Sequence, residues 1–148
     1  MKKIDEQRFF SQYPMYKNLD ELKKTDLLIM PLHNNKSFWG AQRDFFSLTR
    51  NKNFNCRFFT EDRNSIPFYA EFSAPSPDVI INFGVTVIST LSGLFGIYQF
   101  LKERTQGQKF RIKHIISIKD GYYELDEFEG SFNDYQRLHQ EMESQFKK

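Results

Sequence analysis

The chain has 148 residues and a formal net charge of +2, which suits one domain that buries a core without disulfides or metal. Hydrophobic residues make up 39% and charged residues 27%. That excludes wholesale disorder, and the near balance of charge excludes a global pull toward nucleic acid or anionic lipid. The single cysteine, Cys56, excludes an internal disulfide and a four-cysteine zinc site and fits a reducing compartment. The start, Met1-Lys2-Lys3-Ile4-Asp5-Glu6, turns acidic where a secretion signal turns apolar, so a cytoplasmic location is expected.

In chain order, residues 1–25 read as a helical extension broken at Pro14, with Ile4, Phe9, Phe10 and Tyr13 on one apolar edge. Residues 26–73 read as a strand–helix–strand unit. The first strand covers 26–32. Ser37 caps a helix over 38–50 that turns Phe38, Ala41, Phe45 and Leu48 inward, and a second, parallel strand covers 54–60. Residues 66–72 read as an edge strand, because Pro67 cannot donate to a ladder, and 74–77 as a linker. Strands over 110–119 and 122–128 flank Asp120-Gly121, a strong hairpin signal. A two-residue turn there pairs Ile118 with Tyr123 and Ile116 with Leu125, and sets His114 opposite Glu127. Ser131 and Asp134 open a final helix with Phe132, Tyr135, Leu138, Met142 and Phe146 on one stripe. The expected fold is α+β, within one domain over 1–148. A small mixed sheet forms from the strand–helix–strand unit and the hairpin, covered by a long apolar helix and the C-terminal amphipathic helix.

That apolar helix is the pivotal expectation. No charged residue occurs from Val79 to Leu101, and as a helix this run is ~35 Å long, enough to cross a bilayer. Helical spacing places Asn82, Thr86, Ser89, Gly93 and Gly96 on one small-polar stripe, surrounded by Val79, Ile80, Val87, Ile88, Leu91, Leu94, Phe95, Tyr98 and Leu101. Such a helix covers a sheet, receives a partner helix along the stripe, or inserts in a membrane. The many β-branched residues also keep a strand open over its first half. After the run come Lys102, Arg104, Lys109, Arg111, Lys113 and Lys119 against Glu103 alone. The positive-inside rule would then send the first 77 residues outward without an export signal, which disfavours insertion. Peripheral contact with anionic lipid remains a variant.

Chemistry-bearing residues are sparse. His33 falls in the loop after the first strand, where α/β proteins often place ligands, while His114 and His139 read as structural. Cys56 reads as a buried thiol. No nucleophile elbow, phosphate loop, dinucleotide fingerprint or metal-ligand spacing occurs, so neither a cofactor nor an enzyme activity is expected. The acids from Asp120 to Asp134 read as balancing the basic strand beside them or as docking a basic partner. Lys36 to Arg63 interleaves basic residues with Phe38, Trp39, Phe54, Phe58 and Phe59, a pattern suited to single-stranded nucleic acid; Trp39, the one of these rings expected to be exposed, and Arg43 are its candidates.

The order of elements from 26 to 146 carries a family likeness. An apolar helix ends in Lys102-Glu103-Arg104, a basic strand turns at Asp120-Gly121, and Tyr123-Glu124-Leu125-Asp126 follows before a capped helix. This pattern resembles the small effector-associated constant component proteins of bacterial conflict systems. The first 25 residues and 66–72 depart from it. The resemblance implies a non-enzymatic adaptor that couples parts of a bacterial or phage defence module, and it carries over no functional residue. The expected interface is therefore the stripe from Asn82 to Gly96, with a protein partner or a homo-oligomer. A membrane-active effector that inserts 79–101 and a single-strand-binding module are the alternatives.

Overall fold

A computed structural model describes residues 1–32, 37–62, 64–69 and 79–148; His33 and the 74–77 linker lie outside these. The elements are β1 (Lys2–Ile4), α1 (Glu6–Phe10), a 3-10 turn (Tyr16–Asn18), α2 (Leu19–Leu22), β2 (Leu27–Ile29), β3 (Phe38–Trp39), a 3-10 helix (Gly40–Phe45), α3 (Phe46–Asn51), β4 (Cys56–Phe58), β5 (Phe68–Tyr69), β6 (Ile81–Ile88), α4 (Leu91–Thr105), β7 (Phe110–Ile118), β8 (Gly121–Glu124), β9 (Phe128–Gly130) and α5 (Phe132–Phe146). The main sheet runs β1-β8-β7-β6-β2-β4, with β9 also on β7; β3 and β5 form a separate parallel pair. β2/β4 and β6/β7 are parallel, while β2/β6, β7/β8, β7/β9 and β1/β8 are antiparallel. Helices and a mixed sheet make the fold α+β, and β2 and β4 pair in parallel as expected.

The uncharged run is not one helix. Residues 81–88 are a strand between β2 and β7, and only after Thr90 does a helix begin. Thr90 has extended backbone (φ −138°, ψ 161°), and its hydroxyl oxygen accepts from Gly93 N at 3.0 Å, an N-cap that starts α4 there. The cap is itself held, because Thr90 donates to Asp26 Oδ1 at 2.9 Å and Ser89 N donates to Asp26 O at 2.9 Å. No described helix is long and apolar enough to cross a membrane, so there is no 79–101 helix to insert.

The expected stripe dissolves with that helix. Asn82 and Thr86 lie on β6, Ser89 in the connection, and Gly93 and Gly96 on the inner side of α4. A Cβ on Gly93 would lie 2.4 Å from Asp26 O, and one on Gly96 would lie 2.2 Å from Phe54 Cζ. Both glycines let α4 approach its own sheet and loop, not a partner helix.

Around β2 the sheet is buried on both faces, which matches the unbroken apolar run of Leu27–Ile29. On one side Leu27, Ile29, Phe83, Ile88, Ile112 and Ile116 pack against α3, α4 and α5 side chains such as Leu48, Ile97, Phe100 and Tyr135. On the other, Leu28, Met30, Val87 and Ile115 pack under Phe10, Tyr13, Leu19 and Leu22 of the N-terminal helices. Phe83 touches Phe45, Phe100 and Phe110, with ring centroids at 5.7–6.1 Å. Such contacts put much of the chain's large phenylalanine content inside, each fully buried ring contributing about 1.5–3 kcal/mol.

A bulge in β6 lets one strand serve both faces. Its register with β7 shifts between Asn82 and Val85, and Gly84 takes φ +65° while donating its N–H to Asn82 Oδ1. One extra residue reverses the alternation, so Ile81 and Phe83 before it, and Thr86 and Ile88 after it, all face α4 and α5. Gln42, fully buried, secures the bulge by donating to Phe83 O at 2.8 Å and accepting from Trp39 N at 2.7 Å.

Other expectations shift in detail. The 38–50 helix begins as β3 because Phe38 N donates to Pro67 O, and becomes α-helical only at Phe46, yet Phe38, Ala41, Phe45 and Leu48 are all buried as foreseen. The strand expected over 66–72 is β5, which pairs with β3; residues 70–72 lie outside the described set. β1, read as helix, adds to β8. In the hairpin Ile118 faces Gly121 and Ile116 faces Tyr123, so Lys119-Asp120 form the turn. Gly121, at φ +143°, opens β8, and the register moves by two residues, which preserves the faces. Ser131 caps α5 as expected, with Tyr135 and Met142 buried.

The closeness of Gly93 to backbone gives a test. Gly93→Ala should lower stability by about 1–3 kcal/mol through overpacking, although alanine gains about 1 kcal/mol in helix propensity. Urea unfolding that finds the variant as stable as the parent contradicts this packing.

Candidate functional site

The polar residues buried in the core form a structural chain. Thr86 and His114 are register partners across β6 and β7, and Thr86 Oγ1 lies 2.6 Å from His114 Nδ1; His114 Nε2 lies 2.6 Å from the Tyr135 hydroxyl. Either neutral tautomer satisfies all three groups. The expected His114–Glu127 pair is absent, because Glu127 lies 3.2 Å from Arg111 on the exposed side. Burial, with His139 nearby, pushes the His114 imidazole down to about 3, and burial lifts the Tyr135 hydroxyl well above its usual range. His139 stacks on Tyr98 with centroids 4.1 Å apart, and its Nδ1 is buried without a partner among the described residues. Cys56 is buried, which pushes its thiol up to about 12.

The charges of β7 are met locally, as expected from the acids that follow. Arg111 pairs with Glu127 and Glu129, and Lys113 with Glu124. Among the described residues no group of His, Cys, Asp or Glu is placed to hold a metal ion. A hollow of about 250 Å³ at the carboxyl ends of β2 and β4 is lined by Met15, Pro31, Phe59, Glu61, Asp62 and Pro67 among others. Its acids share that lining with the Thr60 and Ser65 hydroxyls.

Trp39 and Arg43 are brought together, but as packing. The Trp39 ring meets Tyr69 edge-on at 5.6 Å and is half-buried, and the Arg43 guanidinium sits 4.9 Å over Phe68. Phe38, Phe54, Phe58 and Phe59 are buried while Trp39 is left partly exposed, as expected; Tyr69 at 54% and Phe46 at 44% are more exposed. The signal for Phe46 was present. It follows Phe45, which belongs to the inward stripe, so a helix must turn Phe46 about 100° away.

Phe46 stands beside the open side of β4. Among the described residues β4 pairs only with β2. Leu27 N donates to Asn55 O and Phe59 N to Ile29 O, so 55, 57 and 59 turn their backbone toward β2. Strand alternation turns the backbone groups of Cys56 and Phe58 away from β2, where the Phe58 carbonyl accepts from Thr60 N at 2.9 Å. A groove of about 270 Å³ follows this edge, walled by Phe46 and Thr49 of α3, with Asn55 at one end and Thr60 and Ile66 toward the other. The Phe46 ring rests on Phe58, centroids 4.5 Å apart. A strand edge with no described strand along it, beside an exposed ring, is the arrangement that receives an added strand.

The buried imidazole predicts a pH dependence. His114 is depressed in the folded state, so its contribution is fully present above its unfolded value of about 6.5. It should be lost as pH falls toward 3, at up to about 1.4 kcal/mol per pH unit. His139, shifted the same way, adds in the same sense. Urea unfolding of the parent and of His114→Gln from pH 7 to 4 should show a flatter profile for the variant; parallel profiles contradict it. No family model matches the chain, and no curated protein or solved structure matches it.

Proposed function

We propose that the chain is a non-enzymatic interaction domain whose docking surface is the β4 edge rather than the Asn82–Gly96 stripe. The observation that carries this reading is the outward backbone of Cys56 and Phe58 beside the exposed Phe46. Support for a binding role over catalysis comes from the use of the reactive side chains. His114 is locked between Thr86 and Tyr135, His139 is stacked between rings, and the Cys56 thiol is buried and protonated. Following the resemblance of residues 26–146 to effector-associated constant components, the domain couples parts of a bacterial or phage conflict system in the cytoplasm.

Strand addition draws affinity from main-chain hydrogen bonds and specificity from alternate side chains. Peptides selected from a displayed random library should therefore alternate apolar residues. They should lose about tenfold or more of their affinity for Phe46→Lys, and bind poorly when their alternate amides are N-methylated. Selected peptides that bind Phe46→Lys equally well, or a library that yields no binders, contradict the reading.

A further inference from the structure

We infer that the occupant of the β4 edge is a second copy of this chain, joined antiparallel about a twofold axis; this deepens the preceding reading and rests on it. The argument is the distribution of charge along the groove. Between 45 and 60 the charged residues are Arg50, Lys52 and Arg57, all positive. Arg50 and Lys52 are exposed and follow the groove wall at Thr49, leading to the Asn55 end. Just past the Thr60 end stand Glu61 and Asp62, both exposed. The edge is thus basic where the strand enters and acidic where it leaves.

A strand with that polarity complements itself in one orientation only. Parallel addition of a second β4 would set basic end on basic end. Antiparallel addition sets Arg50 and Lys52 of each chain near Glu61 and Asp62 of the other, and a twofold axis repeats the match. In that orientation the faces of the two sheets coincide, so both Phe46 rings lie on one side of the junction. Each outward Phe58 N–H meets the partner's Cys56 carbonyl, and each Cys56 N–H meets the partner's Phe58 carbonyl, whose second lone pair is open beside its bond from Thr60 N. Arg57 projects to the opposite face, where Glu21 lies 3.6 Å away, so each arginine carries its own counter-charge into the junction and opposed arginines are balanced.

Light scattering or sedimentation of the full chain at low salt tests this. The expected result is a monomer–dimer equilibrium that weakens with salt and is lost in Phe46→Lys. Lys52→Glu should raise the dissociation constant by about twofold to fivefold for each of the two contacts it reverses, and Lys52→Glu combined with Glu61→Lys should restore it. Circular dichroism of these surface variants confirms that they remain folded. A chain that stays monomeric up to about 1 mM, where even millimolar affinity shows, overturns the inference. So does a dimer indifferent to Phe46→Lys, or one that the paired charge reversal fails to rescue. A monomer that still binds Phe46-dependent peptides removes the second copy as occupant and leaves the docking edge standing.

Discussion

Asp26 is the point through which the architecture is tied. Its side chain accepts from Thr90 through one oxygen and from Asn55 N, at 2.6 Å, through the other. Its carbonyl accepts from Ser89 N and its own N–H donates to Asn55 O. One residue at the mouth of β2 therefore starts β4 alongside it, ends β6 on its other side, and supports the cap of α4. The same carbonyl sits where a Gly93 side chain would go, which brings the first turn of α4 down onto the β2 entrance.

From that anchor the docking edge follows. Asn55 bound to Asp26 and Leu27 fixes which residues of β4 look toward β2, and alternation leaves Cys56 and Phe58 looking outward. The two-sided burial of the sheet has a related effect. Because the N-terminal helices close one face and α3, α4 and α5 close the other, the exposed apolar surface at this end gathers where α3 meets the strand edge, at Phe46. A short edge strand flanked by charge resists indiscriminate pairing.

Several features were legible because they are local. The stripe of α5 and its Ser131 cap, the inward positions Phe38, Ala41, Phe45 and Leu48, and the hairpin around Asp120-Gly121 all depend on neighbouring residues. The division of 79–101 was not legible in this way. Thr90 and Ser89 stop the strand through Asp26, which lies far back in the chain, and helical spacing fits Asn82 to Gly96 whether or not a helix exists. The bulge at Gly84 depends likewise on Gln42. The hairpin register turned on Gly121 opening β8 at positive φ rather than sitting inside the turn. The docking edge was hidden for a different reason, since exposure of Phe46 matters only once β4 is known to be terminal.

The anchoring role of Asp26 is tested most directly by the equilibrium stability of Asp26→Ala in urea at neutral pH. Removing a carboxylate that accepts two hydrogen bonds and supports a helix cap should cost about 2–4 kcal/mol, with the m-value unchanged if the folded and unfolded ensembles keep their compactness. A loss below about 1 kcal/mol, within the range of ordinary substitutions, would contradict the account, because the strand, the cap and the β4 edge would then be held in place by something other than this residue.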